Sequence, residues 1–296
     1  LVRRLAMQSG TITQIAFPVG ESVSLPGWDG EILSSDGDAW VPKGKSYWEL
    51  SVEANPTKKA NRDYDKRKKE TLEAIRHSTT LVIVTARRWT KKKTWCNEKC
   101  TLGEWQAVRA YDADDLEAWL EASPAIALDF AEELGLVGDG VESPTHFWQT
   151  WANQSAPPIK KHTFFADRQD TQDRLLTGLR KRIDKSDNKI FAIRADSTDE
   201  AVAFVCAALL DAPDLLDTAL VVTGDGGWRY VEKQPRIKLV VAACPEIAAR
   251  IPVGPKLVVV PVADGDLVSG YGGKGGTKFD LVLERPGIYP FRDALI

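Results

Sequence analysis

No run of about 18 apolar residues occurs in the sequence, and no basic-then-apolar leader pattern opens it, so nothing in it argues for a membrane span or for export. Cysteine is scarce as well. Four cysteines in 296 residues cannot build a disulfide framework, and Cys206 and Cys244 lie in apolar segments far from the Cys96/Cys100 pair. No histidine stands at zinc spacing from any of them, which argues against a structural zinc site. A reducing cytoplasm is the expected location. Histidine is scarcer still: His77, His146 and His162 form no constellation that suggests a general base. Positive charge is not in excess, for the formal net charge is -3. Any case for a polyanionic partner must therefore rest on local patches.

With 43% hydrophobic and 27% charged residues, the composition is that of a globular chain able to bury a sizeable core. The length is enough for two domains of ordinary size. The chain starts at Leu1 and stops in the helical-looking FRDALI, so it reads as a fragment truncated at its C-terminus.

The most informative stretch runs from Pro26 to Arg67. It places Asp29 in a Gly-Trp-Asp-Gly turn and Glu49 in the short apolar strand Tyr47-Trp48-Glu49-Leu50. A lysine-rich helix follows directly. Asp in such a turn is ordinary turn chemistry. Glu49 is the sharper signal, since its neighbours Trp48 and Leu50 imply a buried strand. A buried carboxylate needs a partner or a metal. Two carboxylates on adjacent strands with a lysine nearby are what a metal-dependent phosphodiesterase requires, because the acids hold a hard divalent cation through oxygen. The helix, expected over Lys58 to His77 with Thr57 as its cap, holds seven basic and two acidic residues between Lys58 and Lys69, among them Lys59 and Arg62. A solvated face explains such a run, and so does a phosphate-binding surface.

The arrangement GWDG, then WEL, then KKANRDY resembles the core of the PD-(D/E)XK superfamily, the restriction-endonuclease-like nucleases, and in particular its Mrr-like members. The resemblance covers roughly residues 1–155. It implies a mixed sheet flanked by helices, with Asp29 and Glu49 as catalytic and metal ligands for Mg²⁺ or Mn²⁺. The lysine usual two residues after the second acid falls on Ser51, and Lys59 or Lys58 from the following helix would take its place. The implied function is hydrolysis of nucleic-acid phosphodiesters, DNA more than RNA, by an effector of bacterial anti-phage defence able to form a homo-oligomer. The alternative is a catalytically inactive nuclease fold that binds nucleic acid or a protein partner.

Beyond the helix, LVIVT at 81–85 reads as a buried strand. It leads into ARRWTKKKTW, whose Arg87, Arg88, Lys91, Lys92 and Lys93 alternate with Trp89 and Trp95. This second basic cluster suits backbone charge and base stacking, or else a solubilising loop with its tryptophans packed inward. A strand is expected at Trp105–Arg109. Residues 112–133 then carry eight acids and no Lys or Arg, read as one amphipathic helix with a solvated acidic face. A helix over SPTHFWQTWANQ precedes Ala156-Pro157-Pro158, the expected linker between domains 1–155 and 159–296.

After the linker, a helix at Arg168–Ile183, a helix at Asp199–Leu210 and strands in KIFAIRA, TALVVTG, IKLVVAA and KLVVVPV alternate as in a parallel three-layer α/β domain. The turn Ile193–Ser197 stands where a phosphate-binding loop would lie, yet no G-x-x-x-x-G-K-[ST] occurs anywhere. The LVVAA strand lacks the acidic pair that would handle magnesium. The domain resembles a degenerate, P-loop-like ATPase module of signal-transducing defence proteins. Gly272–Thr277 (GGKGGT) lacks the spacing of a phosphate loop and reads as a flexible hairpin loop.

Overall fold

The computed structural model describes residues 1–8, 12–18, 27–136, 139–185, 189–250, 254–264 and 279–295. The Gly272–Thr277 loop lies outside them. The chain is α/β and divides into two compact units, Leu1–Ser123 and Pro124–Ile296. Among the described residues no helix is long and apolar enough to cross a membrane.

The first unit runs α1 (Val2–Met7), β1 (Ile12–Ala16), β2 (Gly30–Ser34), β3 (Gly44–Ser51), α2 (Pro56–Glu70), α3 (Glu73–Arg76), β4 (Thr79–Thr85), α4 (Lys92–Thr101), β5 (Ala107–Tyr111) and α5 (Ala113–Glu121). Its strands lie in chain order, β1-β2-β3-β4-β5. The first three are antiparallel neighbours, and β3, β4 and β5 are parallel. A short loop suffices between antiparallel strands, whereas each parallel step needs a crossover, which α2 with α3 and then α4 supply. The β2–β3 loop turns at Gly37, φ +67°, where an added Cβ would meet the Lys43 nitrogen at 2.4 Å. Asp38 fastens the same loop by accepting from the Trp40 and Val41 nitrogens at 2.8 and 2.7 Å.

Every residue of β4 is buried, since helices cover both faces of a parallel strand. Alternation along β3 sends Tyr47 to one face, into a core with Ala60, Tyr64, Leu81, Ile83, Trp89, Trp95 and Trp105. Trp48 goes to the other face, near Tyr111, Trp119 and Phe17. Glu49 therefore shares the Tyr47 face, against α2.

The element bounds differ from expectation in ways that side chains explain. Asn55, not Thr57, caps α2 by accepting from the Lys58 nitrogen at 3.0 Å, and Pro56 is pre-set for the first helical position. The helix ends at Glu70, and α3 is separate. The strand expected at Trp105–Arg109 lies two residues later. The acidic stretch is two helices, because Pro124 opens a new one.

The second unit runs α6 (Pro124–Glu133), β6 (Val141–Glu142), α7 (Pro144–Ala152), α8 (Lys161–Phe164), α9 (Gln169–Ile183), β7 (Ile190–Ala195), α10 (Thr198–Leu209), α11 (Pro213–Leu216), β8 (Ala219–Val222), α12 (Asp225–Glu232), β9 (Leu239–Ala242), α13 (Pro245–Ala248), β10 (Leu257–Ala263), β11 (Leu281–Val282) and α14 (Ile288–Leu295). Its sheet order is β11-β7-β10-β9-β8-β6, parallel except for β6. Helix α10 is apolar on all sides from Ala201 to Leu209 and fully buried, as such a helix must be.

The boundary falls at Ser123/Pro124, before the expected linker at 156–158. Hydrogen bonds give the reason. Ser143 donates its Oγ to Asp129 at 2.8 Å and its backbone nitrogen to Glu132 at 3.0 Å, which ties α6 to the start of α7. Strand β6 pairs with β8, and Trp148 and Ala152 of α7 join the α10 core. Residues 124–155 thus complete the second sheet.

Truncating Phe204, which is fully buried in that core, to alanine should cost about 3–5 kcal/mol. The readout is the urea midpoint of the full chain. Lys93→Ala, at an exposed position, should stay within about 0.5 kcal/mol of wild type.

Candidate active site

Asp29 immediately precedes β2, and Gly30 pairs with Trp48, so the antiparallel register carries Asp29 to the level of Glu49 on β3. Its Oδ2 accepts from the Leu50 nitrogen at 2.7 Å. Glu49 is 5% exposed, as its apolar neighbours imply. Its partner is Arg67, on the inward face of α2 and 6% exposed, whose Nε donates to Glu49 Oε1. That guanidinium also donates to the Gly27 carbonyl and, at 3.0 Å, to Glu70. It lies over the Trp28 ring at 4.3 Å, and Trp28 in turn stacks on Tyr47 with centroids 4.3 Å apart.

Burial pushes the Glu49 carboxyl up to about 7. The hydrogen bond and charge of Arg67 pull the other way, while the charges of Asp29 and Asp63 push it further up. Asp63 is 5% exposed and takes the Lys59 ammonium on both oxygens, at 2.6 and 2.5 Å. The structure therefore brings Asp29 and Glu49 together and adds Lys59 through Asp63. Arg67 and Asp63 were not anticipated. Their signal was present in the spacing 59-63-67, every fourth residue, which marks one face of a helix.

The remaining sequence candidates stand elsewhere. Lys58 is exposed, and Arg62 pairs with Glu53. Ser51, at the usual lysine position, accepts from the Glu53 nitrogen at 3.1 Å. Arg87 donates to the Val52 carbonyl at 3.2 Å and Arg88 pairs with Asp114 at 2.9 Å, while Lys91 is exposed at the N-cap of α4. Lys92 binds Asp112 at 2.6 Å and also Asp115. The acidic stretch thus neutralises part of the basic loop. Trp89 and Trp95 cannot stack on bases, for they are 5% and 3% exposed and donate to Thr57 and Asn61.

Among the described residues no group of three or more His, Cys, Asp or Glu side chains could hold a metal ion. Asp29 and Glu49 form a hard-oxygen pair in which the hydrogen bonds described above occupy one oxygen of each. Such a pair suits Mg²⁺ or Mn²⁺, which complete their shells with water and phosphate. Arg67 now supplies the positive charge beside Glu49.

In the second unit, the turn after β7 is acidic where a phosphate loop would be cationic. Asp196 pairs with Arg285, and Ser197 caps α10 by accepting from the Glu200 nitrogen at 3.1 Å. Asp199 and Glu200 occupy the first turn, and Glu200 binds Arg168 at 2.9 Å. These carboxylates already use the helix dipole that would attract phosphate. Comparison of the chain with protein-family models, curated proteins and solved structures gave no match.

The pH dependence of stability should report Glu49. Its ordinary value is 4.5 and its folded value about 7, so between these the folded state binds more protons. Stability should fall as pH rises from about 5 to about 7, by a few kcal/mol at most. Urea midpoints across that range should show a clearly shallower slope for Glu49→Gln, and an unchanged slope would refute the assignment.

Proposed function

We propose that the first unit is a restriction-endonuclease-like nuclease domain that hydrolyses nucleic-acid phosphodiesters, DNA more than RNA, with Mg²⁺ or Mn²⁺ held by Asp29 and Glu49. One observation carries this reading. Asp29, just before β2, and Glu49, on β3, stand at one level and feel each other's charge, against a helix that presents Lys59 and Arg67 on its inward side. Three antiparallel strands followed by two parallel ones, with the acids at the head of β2 and on β3, agree with the resemblance in GWDG, WEL and KKANRDY.

When bound, the ion would polarise the phosphate and lower the pKa of a bound water. The chain's own residues do the rest. Asp29, fixed by the Leu50 nitrogen, and Glu49, fixed by Arg67, supply preorganised oxygens. Lys59, fixed by Asp63, is the cation for charge developing on the phosphate. Exposed Lys58 extends positive charge along the outer side of α2, where a phosphate backbone would lie, while Arg62 would have to leave Glu53 to join it. The second unit, with five parallel strands and an acidic turn after β7, is proposed as a degenerate P-loop-like module. A role in bacterial defence and a homo-oligomeric state follow from the resemblance alone.

A second reading, a catalytically inactive module that binds nucleic acid or protein, is favoured by Ser51 at the lysine position and by the Glu49–Arg67 ion pair. Supercoiled plasmid with Mg²⁺ or Mn²⁺ separates the two. The nuclease should nick or linearise it, and Glu49→Ala should reduce the rate by at least about 100-fold (about 2.7 kcal/mol). DNA binding should be retained or tightened, because a carboxylate near phosphate is repulsive. Binding without cleavage under any divalent ion would leave the inactive module as the correct reading.

A further inference from the structure

A cleft of about 580 Å³ in the second unit is lined on one side by α9 and its C-terminal end, from Asp173 to Lys185, and on the other by Phe191, Asp280 and Leu281. It lies beside α9 and the start of β7, away from the turn after β7 where open α/β sheets usually bind ligands. Its size is in the range of small-molecule sites.

The pairing of cations sets this cleft apart. Arg182 is neutralised by Asp280, and Arg180, on the same helix but outside the cleft, is neutralised by Asp214 at 2.8 Å. Among the described residues, no ion pair or hydrogen bond engages the side chains of Arg174, Lys181 or Lys185. Their spacing, together with Gly178, is seven and then four residues, which puts all four positions on one side of α9 and its C-terminal end. Lys181 in the last turn, and Lys185 just past it, would complement the helix dipole. Arg174, mid-helix, would not, and Lys181 and Lys185, four residues apart, repel. Gly178 keeps the middle of the row low: an added Cβ would lie 2.9 Å from the Phe191 ring. The result is a floor of Gly178, Phe191 and Leu281 under a row of three cations that no ion pair among the described residues holds, spanning roughly 16 Å at 1.5 Å per residue, with the Asp173 carboxylate also in the lining.

We propose that this cleft binds a phosphate-bearing ligand, with Arg174, Lys181 and Lys185 as its contacts. The phosphates could belong to a small polyphosphate or to a single nucleic-acid strand. The site is in a different unit from Asp29 and Glu49 and does not depend on nuclease activity.

The test is calorimetric titration of the full chain with inorganic tripolyphosphate and, separately, with a short single-stranded oligonucleotide. Binding of tripolyphosphate that weakens at least about 10-fold (about 1.4 kcal/mol) in R174Q/K181Q/K185Q, and not in R180Q, supports the site and assigns it a small ligand. The same pattern with the oligonucleotide alone supports a strand, and there each lost contact should lower the salt slope by about 0.7. Single substitutions at the exposed Lys181 and Lys185 carry the test if the triple variant does not fold. Absence of binding by either probe at millimolar concentration overturns the proposal, as does an equal loss in R180Q.

Discussion

The burial of Glu49 is the constraint on which the first unit's chemistry depends. A carboxylate at 5% exposure, between Trp48 and Leu50 on a strand covered on both faces, cannot stay charged without a partner. The partner arrives from α2, and its geometry is over-determined. Arg67 is held by the Trp28 ring, by the Gly27 carbonyl and by Glu70 as well as by Glu49. One guanidinium thereby connects the segment before β2, strand β3 and helix α2. A buried ion pair is weak evidence for stability, because desolvation offsets much of the attraction. The level of Glu49 beside Asp29 comes from the β2–β3 register, and Arg67 holds the carboxylate in place there.

Charge pairing elsewhere follows the same logic at lower stakes. The loop after β4 concentrates basic residues, and the helix after β5 begins with acids that pair with Arg88 and Lys92. Asp112 serves three ends at once: it takes Lys92, accepts from the Trp89 nitrogen at 2.9 Å and caps α5. Such pairs are worth little each where they are exposed. They do remove positive charge that a phosphate backbone would otherwise meet. On α9 the compensation is incomplete, and this difference separates a fastened cation from one available to a ligand.

The sequence by itself determined the α/β class, the strands Tyr47–Leu50 and Leu81–Thr85, the alternating pattern of the second unit and the need of Glu49 for a partner. These depend on local rules: period-2 alternation, apolar runs too continuous for a solvated strand, and the cost of burying a carboxylate. Only tertiary structure decided which cation answers Glu49. Lys59 and Arg67 lie on the same side of one helix, and the docking angle of that helix assigns Arg67 to Glu49 and Lys59 to Asp63. Tertiary structure also sent Trp89 and Trp95 inward, because the face of β3 and β4 beneath them needed covering. It moved the domain boundary to Ser123/Pro124, since hydrogen bonds from Ser143 to Asp129 and Glu132 join segments that composition alone cannot pair. Local periodicity fixes which side of an element is apolar, and long-range packing alone fixes what that side meets.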